Sequence, residues 1–521
     1  MATVTQQVEP RLDPRRWWAL GALVASMLVL GFDMTILNVA LPTITGQLGA
    51  TTGQQQWMAD AYVVVFAALM LPAGLLGDRF GRRRVLVGGL GVFLAASVVG
   101  ALASDVTWVI VARALMGVGG AFVMPLAISV LPSLFPRTEQ TKAIGMISAA
   151  SALGLPLGPV LGGWLLNHFW WGSVFVINVP MVAIGITACL FLLPETRDPA
   201  APRVDVVSTV LTALGLGTLI YAIIEGPGKG WSAPVVLGAF AAAVVLLGAL
   251  ALRERRSPRP MLDLTLLSHR GFLTHTLVAT FGMFVLSGLM FVLPQYLQAV
   301  LGTDSFGTGL RMIPLMAGML AAAKLAQLLV ARFGERAVIC VALVVLAFAA
   351  FLGARTTTAS GYGFTALWLT VAGLGFAFAM IPAMGGALGA LPKDQAGRGS
   401  GLLSTVRQTG SALGVALLGA LVAGAYSARL STASVSGAAA DAARDSVIGA
   451  HLVAGRLGDR ALAASADAAY LHGMDLALAV IGIAALVCVV LTAALMPGRV
   501  PPSASIPSRT EVAPTGANAR Q

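Results

Sequence analysis

The chain has 521 residues, of which 57% are hydrophobic and only 11% are charged. Soluble domains carry roughly 25% charged residues, so this composition cannot cover a globular surface in water. The net charge of +11 does not point to nucleic acid, because the basic residues stand in small groups at the ends of apolar runs rather than along one polar face.

From the N-terminus onward, fourteen stretches reach the roughly 20 apolar residues that a helix needs to cross a bilayer. They cover 17–41, 57–77, 85–103, 108–130, 142–166, 172–193, 205–224, 233–252, 271–293, 308–330, 337–353, 364–390, 400–425 and 474–496. The first follows Arg11, Arg15 and Arg16 as a signal peptide would. Its length, Asp33 within it and an end at Val39-Ala40-Leu41-Pro42 without a cleavage site mark a retained helix. With the N-terminus inside, cytoplasmic segments collect about 23 basic residues and external ones about 6. The densest inside groups are Arg79/Arg82/Arg83/Arg84 and Arg253/Arg255/Arg256/Arg259. Both termini are therefore expected in the cytoplasm. Residues 426–473, rich in Ala, Ser, Asp and Arg, read as an external loop, and 497–521, rich in Pro, Ser and Thr, as a disordered tail.

Cys189, Cys340 and Cys488 each lie inside an apolar run without paired spacing, and the five histidines are scattered. Neither a disulfide framework, a metal site nor a cofactor is expected. The run Gly226-Pro227-Gly228-Lys229-Gly230 has Gly230 where a phosphate loop needs Ser or Thr. No nucleotide site emerges, so the driving force must come from gradients. No nucleophile–base pair marks an enzyme.

Asp33 is the first candidate functional residue. A carboxylate at membrane depth costs about 2.5–3.5 kcal/mol on insertion scales and normally faces a polar cavity. Such a group can take a proton on one side and release it on the other; otherwise it pairs with a neighbouring helix for packing alone. Arg113 lies at a similar depth and is its candidate partner. Asp60, near the outer end of the second span, is either a wet carboxylate or a binding group for lipophilic cations beside Trp57, Tyr62 and Phe66. Lys324 and Arg407 lie roughly 10 Å inside the cytoplasmic ends of their spans. They either snorkel and tie helices together or face the cavity, where they would favour an anionic or neutral substrate.

Several local patterns together resemble the major facilitator superfamily, specifically its fourteen-helix drug:proton antiporters. They are Asp33-Met34-Thr35-Ile36-Leu37-Asn38-Val39-Ala40-Leu41-Pro42, Gly74-Leu75-Leu76-Gly77-Asp78-Arg79-Phe80-Gly81-Arg82-Arg83-Arg84, Arg113-Ala114-Leu115-Met116-Gly117-Val118-Gly119-Gly120 and Gly154-Leu155-Pro156-Leu157-Gly158-Pro159-Val160-Leu161-Gly162-Gly163. Ile177-Asn178-Val179-Pro180 and Arg407-Gln408-Thr409-Gly410 add to the match, while Gly172-Ser173 departs from it. The resemblance implies an all-α membrane protein with the major facilitator fold. Its parts would be an N-terminus over 1–16, a six-helix bundle over 17–193, two inserted helices over 205–252 and a second six-helix bundle over 271–496. Ala331-Arg332-Phe333-Gly334-Glu335-Arg336 echoes Asp78-Arg79-Phe80-Gly81-Arg82-Arg83, as related halves would.

The resemblance further implies that Arg113 tunes the proton affinity of Asp33. It makes Gly74, Asp78, Arg79, Gly81, Arg82 and Arg83 a cytoplasmic gate, the arginines also setting topology or binding anionic lipid. Gly154, Gly158, Pro159, Gly162 and Gly163 form an exporter motif; by spacing alone the glycines give one close-packing helix face. The implied function is proton-coupled export of drugs or antibiotics across a bacterial inner membrane, by a monomer whose partners are small molecules, protons and lipids. Export of one metabolite or lipid precursor, and a non-transporting sensor, are the alternatives.

Overall fold

The computed structural model describes residues 16–198, 204–257, 260–392 and 395–496. The expectations for the N-terminus before Arg16, for Arg259 and for the tail from Pro497 lie outside these residues. Among the described residues, fourteen helices are long and apolar enough to cross a membrane. They are α1 (Arg16–Leu48), α2 (Thr52–Phe80), α3 (Arg82–Ala101), α4 (Val106–Leu134), α5 (Thr138–His168), α6 (Ser173–Leu192), α7 (Val206–Lys229), α8 (Pro234–Arg256), α9 (Arg270–Val300), α10 (Ser305–Phe333), α11 (Glu335–Gly353), α12 (Tyr362–Gly389), α13 (Gly397–Arg429) and α14 (Arg460–Leu495). An apolar solvent offers no partner to backbone groups, so each span satisfies its own as helix. Local signals set the ends. Thr51 and Gln54 form a capping box at the start of α2, and the Asp105 carboxylate accepts from the amides of Thr107 and Trp108 at the start of α4. Gly81 (φ 110°) and Gly334 (φ 85°) supply the left-handed turns that separate α2 from α3 and α10 from α11.

Several spans run beyond the sequence reading, α9 to Val300 among them. α1 continues through Pro42 to Leu48. The segment read as a loop over 426–473 is largely helical: α13 runs to Arg429, α14 begins at Arg460, and Ala438–Asp445 and Val447–Leu457 are helices between them. Hydropathy marks only the lipid-facing length of a helix, whereas polar turns beyond it stay helical when they find partners. Here Tyr426 donates to Ala443 O (2.8 Å), and His451 and Asp467 lie 2.7 Å apart.

The helices form two six-membered bundles with matching packing. In the first, α1 lies on α5, α2 on α4, and α3 on both α4 and α6; in the second, α9 lies on α13, α10 on α12, and α11 on both α12 and α14. The inserted helices α7 and α8 pair with each other, and α7 rests on α2 and α13 where the bundles meet. The end that carries Arg79–Arg84 and Arg253–Arg256 is called the basic face, and the opposite end the far face. At the far face the bundles are joined by α1 and α5 on one side and α9 and the start of α10 on the other: Asn167 donates to Asp304 (2.5 Å), Gln298 to Val39 O (2.9 Å), and Thr43 and Ser305 are 3.4 Å apart. The Asn167 amide is the main group that holds the Asp304 carboxyl below its ordinary range, so this contact persists above that range and weakens as pH falls. Toward the basic face the same helix sides are exposed, Gly145 and Ala149 on α5 and Leu320 and Lys324 on α10.

The small-residue face of α5 sets where α1 sits. A Cβ at Gly154 would come within 2.7 Å of Gly31 Cα, one at Gly158 within 2.6 Å of Phe32 O, and one at Gly162 within 2.7 Å of Ile36 Cγ1. Pro159 has no amide to offer the carbonyl of Leu155 four residues earlier, and that carbonyl accepts from Thr35 Oγ1 (3.0 Å) instead. The stretch of α1 that contains Asp33 is thus pinned to α5. Gly158→Val is expected to force the helices apart at a cost of about 1–3 kcal/mol, with a lower melting temperature in detergent and reduced transport. Gly145→Val, whose Cβ meets nothing within 4 Å, is the matched control; equal losses in both variants would refute the packing role.

Candidate functional site

Four helices converge on Asp33. Arg113 Nη1 of α4 lies 2.9 Å from Asp33 Oδ2, and Asn178 Nδ2 of α6 donates to Asp33 Oδ1 (2.9 Å). Arg113 Nε donates to Met58 O of α2 (3.2 Å), and the guanidinium stands 4.5 Å from the centroid of the Tyr62 ring. Asp33 is 1% exposed and Arg113 2%. At this burial an ion pair is sustained only when further bonds satisfy both partners, and the Asn178 amide, the Met58 carbonyl and the Tyr62 face supply them. Gly117 and Gly120 let α4 approach α2 closely enough for this: a Cβ at Gly117 would lie 2.5 Å from Tyr62 O, and one at Gly120 2.7 Å from the Tyr62 hydroxyl.

A cavity of about 60 Å³ lies between the bundles beside this cluster. Asn38, Tyr62 and Arg113 contribute to its wall from the first bundle, and Met290, Gln408 and Ser411 from the second. Among the described residues its wall contains no carboxylate. Asp33 itself is absent from the wall and stands behind Arg113. The arginine can therefore report to Asp33 what occupies the cavity, because any group that draws the guanidinium away also strips the carboxylate of its counter-charge.

The remaining sequence candidates sit elsewhere. Asp60 is fully buried, and among the described residues neither of its carboxylate oxygens has a hydrogen-bond partner. It is not the wet surface acid that its place near a helix end allows. It shares a face of α2 with Gln56, whose amide donates to Val415 O (3.2 Å) and Ala416 O (2.9 Å) of α13, and with Val64, packed near Ile220 and Ala412. Asp60 thus lies where α2, α7 and α13 meet and does not line the cavity. Trp57 packs against Tyr221 (6.4 Å between ring centroids) and Tyr62 against Arg113 and Phe66, so the three aromatics make no common cage. Arg407 is one turn of α13 toward the basic face from Ser411; its Nη1 is 3.3 Å from Met384 Sδ and its Nε has no partner among the described residues. Lys324 is exposed. It lies about 22 Å from Gly309 toward the basic face, on the side of α10 that meets α5 at Pro159.

The gate residues bind within the first bundle. Arg82 Nε donates to Asp78 Oδ1 (2.8 Å) and its Nη1 to Ser129 O (2.8 Å) at the basic-face end of α4. Glu195, just after α6, accepts from the backbone amide of Arg83 (3.2 Å) and pairs with Arg83 and Arg84. Arg79 is exposed over Phe80, and Gly74 faces Pro125. Among the described residues, none of the hydrogen bonds and ion pairs of these groups reaches across to the second bundle. Sequence reasoning missed Asn178 as a partner of Asp33, and Gln408 and Ser411 as cavity wall. The pattern Ile177-Asn178-Val179-Pro180 was the only signal, and an amide inside an apolar run is the feature that could have singled it out.

The family model described as Major Facilitator Superfamily matches residues 23–415. The chain is 32% identical over 414 residues to the tetracenomycin C resistance and export protein of Streptomyces glaucescens, covering 79% of this chain and 77% of the relative. It is 34% identical to the puromycin resistance protein of Streptomyces alboniger, covering 82% of this chain and 86% of that one. Among solved structures, the fold is similar to a bacterial homolog of the human lysosomal transporter Spinster in an inward-facing, occupied conformation. That similarity has a TM-score of 0.67 at 19% identity, over 93% of this chain and 98% of the other.

Proposed function

Since the chain belongs to the major facilitator superfamily, we propose that it exports small antibiotic-like molecules across the bacterial inner membrane in exchange for protons that enter through Asp33. The observation that carries this reading is the placement of Arg113, which bonds Asp33 on one side and walls the cavity between the bundles on the other. In the cycle proposed, a proton reaching Asp33 neutralises the carboxylate and releases Arg113. The freed guanidinium then changes both the cavity wall and the contact between α4 and α1. Substrate leaving and proton entering thereby compete for one side chain, which is the linkage an antiporter needs.

The excess of Lys and Arg at the basic face supports a cytoplasmic position for it, with the far face outside. The contacts through Asn167, Asp304 and Ser305 then close the external side, while the exposed sides of α5 and α10 leave a route from the cytoplasm. One cavity between two bundles of a single chain supports action as a monomer. The wall has Arg113 as its charged group and otherwise presents Met34, Met283, Met290 and Tyr62 with the amides of Asn38 and Gln408. Such a surface suits a neutral or acidic aromatic compound and not a dication. Relatives named for tetracenomycin C and puromycin support an antibiotic as substrate. Export of one dedicated metabolite remains the second reading, favoured by the small size of the cavity.

Purified protein in proteoliposomes tests both. For a neutral substrate exchanged for one proton, 100 mV is worth about 2.3 kcal/mol, an accumulation ratio of about fifty-fold. A neutral aromatic antibiotic should approach this ratio and collapse to equality with a protonophore. A quaternary ammonium dye should not accumulate. Movement indifferent to the proton gradient refutes antiport, and activity on a single compound in a wide panel selects the dedicated exporter.

A further inference from the structure

A polar stripe on α13 leads from the basic face to the cavity. Ser400, Ser404, Arg407 and Ser411 follow one another at spacings of four, three and four residues, so they share one side of the helix. Exposure falls in that order. Ser400 is exposed, Ser404 and Arg407 are partly buried, and Ser411 is buried in the cavity wall. The stripe is about 16 Å long, and Arg407 stands about 6 Å from Ser411 along it. On the other sides of the same turns Leu402 and Leu403 are buried, so the polar side is a property of the helix face and not of its end.

The one charge on this stripe is unmet. A guanidinium carries five N–H donors and is not deprotonated in proteins. Among the described residues the one polar contact of Arg407 is with Met384 Sδ, a weak acceptor, and Nε is enclosed without a partner. Arg113 shows what the same chain supplies where a guanidinium is fully enclosed: the Asp33 carboxylate, the Met58 carbonyl and the face of the Tyr62 ring. Asp60 is not the missing counter-ion. It shares its face of α2 with Val64, which packs with Ala412 and Ala416, and these mark a side of α13 turned away from the stripe. A charge withdrawn from water needs a partner. For Arg407 that partner can arrive only along the open stripe, and the cavity beyond Ser411 offers methionines and Tyr62 without a carboxylate to repel it.

We propose that Arg407 is the anion-recognising group of the substrate path: it takes the oxyanion of an aromatic carboxylate or phenolate entering from the basic face and delivers the ring to the cavity beyond Ser411. The proposal rests on the export reading for its ligand being a substrate, and it narrows that substrate to an organic acid. The probes are anthracenecarboxylate and its neutral carboxamide, whose fluorescence reports binding to the purified full chain in phosphatidylcholine nanodiscs without any gradient. The wild type should hold the carboxylate about tenfold more tightly than the amide, the scale of one charge-assisted hydrogen bond. Arg407→Gln should erase this preference and leave amide binding unchanged. Arg407→Lys, which keeps the charge and loses the planar fork, should retain about threefold. Ser404→Asp sets an acid one turn from Arg407 on the stripe and should also erase the preference; it decides alone if Arg407→Gln does not fold. A wild type that binds both probes equally, or neither, overturns the proposal. So does a preference that survives Arg407→Gln or Ser404→Asp but is lost in Arg113→Met, which moves the anion to the cavity wall, and so does one that survives all three. Loss of the wild-type preference on adding phosphatidylglycerol overturns the substrate assignment, because a lipid phosphate then holds the site. Failure of proton-coupled export in proteoliposomes leaves these binding ratios untouched and refutes the export reading alone.

Discussion

Asp33→Asn is expected to abolish gradient-driven export while the protein still inserts and folds. Asparagine keeps the size of the side chain and can still accept from Arg113 and donate within the cluster, so the packing of α1 against α4, α5 and α6 is kept. What it loses is the proton. With no group to carry the proton inward, the accumulation ratio of about fifty-fold available at 100 mV falls to one. Substrate should still bind, and downhill exchange across liposomes should persist, because Asp33 is not in the cavity wall. The measurement is uptake into proteoliposomes with and without an imposed proton gradient, beside substrate binding to the purified variant. Gradient-driven uptake at the wild-type level would remove Asp33 from the mechanism, and loss of binding as well would make it part of the substrate site.

The second large effect is on Arg113. In Arg113→Met the carboxylate keeps only the Asn178 amide at 1% exposure. Breaking one side of a buried pair costs about 3–5 kcal/mol, because the other charge is left uncompensated. The double variant Asp33→Asn with Arg113→Met leaves no charge in this cluster and should recover most of that loss, although transport is absent in both. Thermal unfolding in detergent of the wild type, the two single variants and the double variant gives the coupling directly. If the double variant is as unstable as Arg113→Met, the contribution of Arg113 comes from its packing on Tyr62 rather than from its charge, and the competition drawn above loses its basis.

Both effects rest on residues that sequence reasoning singled out, yet the reason for their size was not visible there. Asp33 and Arg113 stand out as charges within apolar runs. That Arg113 and not Asp33 faces the cavity depends on how α1 and α4 are rotated, and this rotation follows from contacts of Gly117 and Gly120 with Tyr62 and of Gly158 with Phe32. Asn178 lies 145 positions from Asp33, and no local pattern announces that they meet. Asp60 shows the converse. Its place near a helix end suggests water, whereas the inserted helix α7, packed over α2 and α13, removes it from water entirely. The gate turn behaves likewise: its residues are recognisable as a motif, but that Arg82 reaches Ser129 and Glu195 reaches Arg83 within one bundle is a property of the folded helix ends.

The order of residues by itself determined the membrane solvent, the number of spans and the sites where charge is held at depth. The physical reason is that helices in hydrocarbon satisfy their backbone locally, so length and polarity can be read residue by residue. Only the tertiary structure decided which side of each helix looks inward, which bundle a contact stays within and which carboxylate is left without a partner. Those outcomes depend on how closely two helices can approach, and a pair of surfaces far apart in the chain, not either sequence alone, sets that distance.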